Sequence, residues 1–193
     1  MDAMDRDCID KLIALGTDPA SIVRIQDLAA REMMRNGLGH TLSNACAATL
    51  SIFLNEAGVD VPITLGAGRL ARRLRDDRHW KPIDVGQQLA GDVGVTFDNK
   101  SPHGADHVYL VVERIDADLM QIADNQKPQR HRRAASGKGK TPTEYFLRAP
   151  EDQGHLSTKL DLGFTLLAHP DEDEDTNDLP EPFNDDGSPV LRD

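Results

Sequence analysis

Apolar positions recur at helical spacing through the first third of the chain and at strand spacing later. Residues 7–15 carry a short apolar stripe that predicts a helix ending at Gly16. Asp18-Pro19 opens a longer helix, with Asp18 at the N-cap and Pro19 at the first helical position, where a missing N–H loses no bond. Ile22, Ile25, Leu28, Ala29 and Met33 supply its buried stripe, and Asn36-Gly37 closes it. Ser43 or Asn44 is placed to cap a third helix, roughly 44–57, burying Cys46, Leu50, Phe53, Leu54 and Ala57. Gly58 stops it. Residues 66–76 predict a fourth helix, whose Arg69, Arg72, Arg73 and Arg75 read as a solvated face.

After Pro82 the period changes. Val93–Phe97 predicts a short strand, and the β-branched run His107–Glu113 predicts the strongest one. Asp116 and Asp118 mark a turn, and Leu119–Ala123 predicts the return strand. Tyr145–Arg148 and Leu160–Ala168 are two further strands, the second alternating Leu160, Leu162, Phe164 and Leu166 on one face. Residues 127–140 hold Lys127, Arg130, Arg132, Arg133, Lys138 and Lys140 with no acid, and Gly137 and Gly139 predict a mobile loop there. Helices first and strands after predict an α+β fold, N-terminal helices packed on an antiparallel sheet, rather than a parallel βαβ sheet.

The length of 193 residues suits one domain. That domain is expected over 1–169, followed by an acidic tail at 170–193 that is too polar to pack. The net charge is −11, but residues 171–193 hold ten carboxylates against Arg192, so the body is near neutral. The acidic tail and an aromatic content of 4% argue against nucleic acid as a partner, since stacking platforms are missing. No apolar run approaches the ~20 residues of a membrane span, so no membrane partner is expected. The first thirty residues carry Asp2, Asp5, Asp7 and Asp10, and no secretory signal peptide is expected. Two cysteines, Cys8 and Cys46, cannot build a disulfide framework or a zinc ribbon. His103, Asp106 and His107 lack the spacing of a ligand set, so neither metal nor cofactor is expected.

Candidate chemistry centres on Cys46. A cysteine nucleophile acts as its thiolate, and a helix N-terminus stabilises that anion through unpaired N–H groups. Cys46 also fits the core, because it shares a helical stripe with Leu50 and Phe53. His107 opens the strongest strand beside a loop, where an imidazole can face a cleft and serve as the base. A hairpin turning near Ile115-Asp116 sets His107 across from Asp124, with Cβ atoms ~5 Å apart. A slip in register brings Asn125 or Gln126 opposite instead. Asp124 is the leading candidate for holding the imidazole, and Asn125 the second.

These residues resemble a family. Asn44-Ala45-Cys46-Ala47-Ala48-Thr49-Leu50-Ser51 with Leu54-Asn55-Glu56-Ala57-Gly58-Val59 resembles the catalytic helix of papain-like bacterial cell-wall hydrolases. Gly91-Asp92-Val93-Gly94-Val95, then Asp106-His107-Val108-Tyr109-Leu110-Val111-Val112, resembles their Gly-Asp element and catalytic-histidine strand. Ile122-Ala123-Asp124-Asn125 resembles the strand of their third residue. The relatives are NlpC-like peptidases and CHAP amidases, and the helix wording is most similar to type VI secretion amidase effectors. The resemblance covers roughly 40–125.

The resemblance implies a papain-like fold with Cys46 as nucleophile, His107 as base and Asp124 as orienting acid. It implies cleavage of amide bonds in peptidoglycan stem peptides through an acyl-enzyme, the oxyanion held by the Cys46 N–H, with His40 a second candidate donor. It further implies cytoplasmic synthesis, delivery to the periplasm or cell wall by a dedicated secretion system, and an immunity protein as partner. Two other readings stand beside it: a papain-like deamidase or isopeptidase acting inside a cell, and a binding domain with an inert Cys46.

Overall fold

The computed structural model describes residues 4–97 and 106–151. A 3₁₀ turn at Asp5–Cys8 leads into α1 (Ile9–Thr17), followed by α2 (Pro19–Arg35), α3 (Cys46–Ala57) and α4 (Ala67–Arg72), which passes into a π-helical turn at Arg73–Asp77. The strands are β1 (Lys81–Ile83), β2 (Val93–Thr96), β3 (His107–Arg114), β4 (Leu119–Ala123), β5 (His131–Ala134) and β6 (Thr143–Arg148). They form one sheet in the order β1-β6-β2-β3-β4-β5, with every neighbouring pair antiparallel. The fold is α+β with an open antiparallel sheet. No helix among the described residues is long and apolar enough to cross a membrane.

Strand alternation divides the sheet into two faces. Val108, Leu110 and Val112 join Val93, Val95 and Leu147 against the helices, where Leu12, Ile22, Ile25, Phe53 and Leu54 are buried. Tyr109 and Val111 point the other way and form a smaller apolar cluster with Met120, Ile122, Ala135 and Phe146. The chain leaves edge strand β5 and returns to β6 in the sheet interior. Thr143 N donates to Ala135 O at 2.8 Å, so the sheet curls around Tyr109.

Local signals explain several boundaries. Asp18 caps α2, accepting from Ser21 N at 2.9 Å. Gly58 ends α3 at φ +115, a conformation that favours glycine. Gly16 was expected to stop the first helix but lies inside α1. A Cβ there would meet Val112 Cγ1 at 2.6 Å, so its role is close packing of α1 on β3. Gly94 faces Tyr109 across β2 and β3, and a Cβ there would sit 2.1 Å from Tyr109 Cζ. The bare backbone makes room for the ring.

Two further expectations need correction. Neither Ser43 nor Asn44 caps α3; the N-cap is Ala45, with no side-chain cap bond. Residues 127–140 are not a loop throughout, because His131–Ala134 pairs with β4 as the edge strand. Its polar side chains carry no apolar alternation, and only a partner strand reveals it. Lys81–Ile83 forms a strand despite Pro82, a residue tolerated on the edge position that β1 occupies. The expected strand Leu160–Ala168 and the acidic tail lie outside the described residues.

Candidate active site

The site starts from the chain entering α3. Asn44 has φ 60, in the left-handed region that asparagine tolerates better than most residues. The turn it makes places Ala45 at the N-cap and Cys46 at the first helical position. The first backbone bond of the helix is Thr49 N to Ala45 O, at 2.8 Å. The first-turn N–H groups therefore have no side-chain cap and point outward from the helix start. Cys46 is 5% exposed, yet it lines a cavity of about 420 Å³ together with His107.

His107, the first residue of β3, supplies the imidazole. Its Nε2 lies 3.2 Å from Asp124 Oδ2. The ring lines the same cavity as Cys46. With Nε2 committed to Asp124, Nδ1 is the nitrogen left for Cys46. An ionised carboxylate only accepts, so Nε2 must carry a proton for that bond to form.

Asp124 follows β4 and is buried behind the histidine, with its side chain fully enclosed. It accepts three bonds. One comes from His107, one from His131 Nε2 at 3.1 Å to Oδ1, and one from Gln126 N at 2.7 Å to the same oxygen. His131 was absent from the sequence expectations. Its pairing partner on β4 is Ile122, which places it on the face that carries Asp124. The signal was a histidine and an arginine two residues apart, but alternation among polar residues alone does not announce a strand.

The segment after β4 is clamped from two sides. Gln26, buried on α2, donates to both Asp124 O and Lys127 O at 2.7 Å. Asn125 Nδ2 donates to Leu42 O at 2.7 Å. The first clamp fixes the acid against the helical layer. The second ties it to the segment that delivers Cys46. Asn125 thus lines the cavity without bonding the imidazole, and its Oδ1 is buried with no partner. Of the two candidates for holding His107, the contact falls to Asp124.

The electrostatics follow from this packing. Burial alone would depress the His107 pKa. The hydrogen bond to Asp124 and the charge of that carboxylate, with the Cys46 side chain close by, overcome burial and raise it to about 9. Burial likewise opposes ionisation of Asp124, yet its bonds from His107, His131 and Gln126 N hold it well below the usual carboxylate range. At neutral pH the pair is an imidazolium on a carboxylate.

Other expected residues lie elsewhere. His40 is exposed, with its Nε2 3.8 Å from Asp27 Oδ1, and lines a separate groove beside α2. It does not line the cavity. Arg69, Arg72 and Arg75 are exposed, and Arg75 pairs with its neighbour Asp76. Cys8 and Cys46 are both free thiols. His103 lies outside the described residues. Among the described residues no group of three or more His, Cys, Asp and Glu is arranged to hold a metal ion.

A thiol beside an imidazolium, with the imidazolium held by a buried carboxylate, can act as a nucleophile paired with a proton donor. The fold and the cavity define an α+β protein in which a helix-start cysteine meets a strand-start histidine. No family model, curated protein or solved structure matches the chain.

Proposed function

We propose that this chain is a papain-like cysteine hydrolase that cleaves amide bonds, acting on peptidoglycan stem peptides. The observation that carries the reading is His107 sharing a cavity with Cys46 while its Nε2 is held by buried Asp124. The substrate class comes from the resemblance of the Cys46 helix and the His107 strand to cell-wall hydrolases.

In this mechanism the Cys46 thiolate attacks the amide carbonyl carbon and a C–S bond forms. The oxyanion is met by the Cys46 N–H at the uncapped helix start. Asn44, which lines the same cavity, supplies a second candidate donor. His107 passes its Nδ1 proton to the departing amine nitrogen as the C–N bond breaks. Water then gives a proton to His107 and attacks the thioester carbonyl. The C–S bond breaks, the acid leaves, and the thiolate–imidazolium pair is restored. Asp124 keeps the imidazole in the tautomer and orientation that both steps need.

The test is mass spectrometry of muropeptides incubated with the full chain beside a Cys46→Ala control. New peptide fragments that vanish in the control are expected, and their masses name the bond. Intact muropeptides with a rapidly alkylated Cys46 would move the substrate to protein amides. Intact muropeptides with an inert thiol would overturn the hydrolase reading.

A further inference from the structure

Arg133 on β5 is 6% exposed and forms part of the cavity wall. Enclosing a guanidinium without a counter-ion costs several kcal/mol unless its donors are used. They are used only in part. Nη2 donates to Thr141 O at 2.9 Å, and the guanidinium carbon lies 4.8 Å from the centroid of Tyr109. Nε is buried without a partner, and Nη1 donates to no described residue. No ion pair among the described residues includes Arg133.

Lys140 reinforces the charge. It lines the same cavity, and among the described residues its Nζ has only the neutral Oε1 of Gln126 at 3.4 Å. The wall also carries one carboxylate, Asp106, which accepts from the hydroxyls of Thr96 and Thr141. Among the described residues the wall therefore sets two cations against one carboxylate, beside the cysteine–histidine pair, and neither cation is paired with that carboxylate.

We propose that Arg133, with Lys140 beside it, binds a free carboxylate of the substrate adjacent to the scissile amide. The proposal rests on the hydrolase reading and narrows its substrate to acidic peptides. Arg133 supplies planar donors matched to a carboxylate, and Lys140 adds an exposed point charge at the rim. Tyr109 orients the guanidinium from below. A carboxylate arriving there supplies the counter-ion that Arg133 lacks among the described residues.

The test uses two alkylating reagents that differ by one carboxylate. Cys46 of the full chain is reacted separately with iodoacetate and iodoacetamide, and the rates are followed by mass spectrometry. The readout is their ratio, so general changes in thiol reactivity cancel. The Arg133→Met variant is expected to lower the iodoacetate-to-iodoacetamide ratio by about tenfold, the effect of one charge-assisted hydrogen bond. Lys140→Gln, exposed and weakly held, tests the same charge without endangering the fold and is expected to lower the ratio about threefold.

An unchanged ratio in the folded variants, with Cys46 still reacting fast, overturns the subsite and leaves the hydrolase reading intact. If Arg133→Met does not fold, an unchanged ratio in Lys140→Gln overturns the subsite alone. A thiol inert to both reagents overturns the hydrolase reading and the subsite with it.

Discussion

His107 reaches Asp124 diagonally across the β3–β4 pair, with Nε2 3.2 Å from Oδ2. The ladder pairs Leu110 with Ala123, so one further step sets Tyr109 opposite the acid. The diagonal leaves Asp124 Oδ1 free for His131 and Gln126 N. One carboxylate therefore positions the imidazole while strands on both sides hold the carboxylate.

The raised pKa of His107 sets an upper pH limit for the proposed activity. The departing amine takes its proton from the imidazolium, so turnover falls as pH rises through about 9. In Asp124→Asn the descending limb moves to lower pH, because a bond and a charge that favour the imidazolium are gone. A rate loss of about a hundredfold or more accompanies it. Initial rates on the cleaved muropeptide between pH 5 and 10.5 check both effects. A limb unmoved by Asp124→Asn would show that the carboxylate does not govern the imidazole.

The same shift is a statement about stability. The folded pKa of His107 lies above the ordinary value of 6.5, so the folded state holds the proton more tightly. Its contribution is complete below about 6.5, declines as pH rises, and is gone above about 9. The size is roughly 3 kcal/mol. Urea unfolding across this range is expected to show that decline in the wild type, and a flatter profile in His107→Gln.

Cys46→Ala is expected to abolish hydrolysis, by about four orders of magnitude or more. The substitution removes one sulfur from a site next to a cavity, so stability changes by only about 1 kcal/mol. Muropeptide turnover and a thermal melt separate the two effects. A large loss of stability with residual turnover would return Cys46 to the core.

Gln26→Leu strips the bond donors from two carbonyls, Asp124 O and Lys127 O. A buried acceptor left without a partner costs about 1–3 kcal/mol. The expected result is a destabilised protein whose turnover falls although Gln26 touches no reacting atom. Denaturant midpoints and kcat measured on the folded fraction check this.

Gly94→Ala puts a methyl group into the space of the Tyr109 ring. The sheet or the ring must shift, at a cost of about 1–3 kcal/mol. Because Arg133 lies over that ring, the iodoacetate preference of Cys46 is expected to fall along with the melting temperature. A melt lowered with the preference intact would uncouple Tyr109 from Arg133.

Much of the architecture was legible in the chain. The apolar periods of α2 and α3 and the β-branched run of β3 are strong because each buries a continuous stripe. Asp18 and Gly58 marked helix ends through local chemistry. Gly16 misled as a helix stop because its purpose is contact with Val112 and Leu110, far away in sequence. β5 was illegible for a related reason: His131, Arg132 and Arg133 form a strand because β4 offers partners for their backbone groups.

By itself the sequence determined the separation of helices from strands and put forward Cys46 and His107, with Asp124 and Asn125 both open as the third group. These depend on local periodicity, capping and turn chemistry, which act within a few residues. Only the tertiary structure decided that Asp124 rather than Asn125 meets the imidazole, that His131 shares the acid, and that Arg133 is buried on the wall of the Cys46 cavity without a counter-ion among the described residues. Strand register, sheet order and the curl that encloses Tyr109 set those distances. They arise from pairing and packing between segments far apart in the chain, where local preference carries no information.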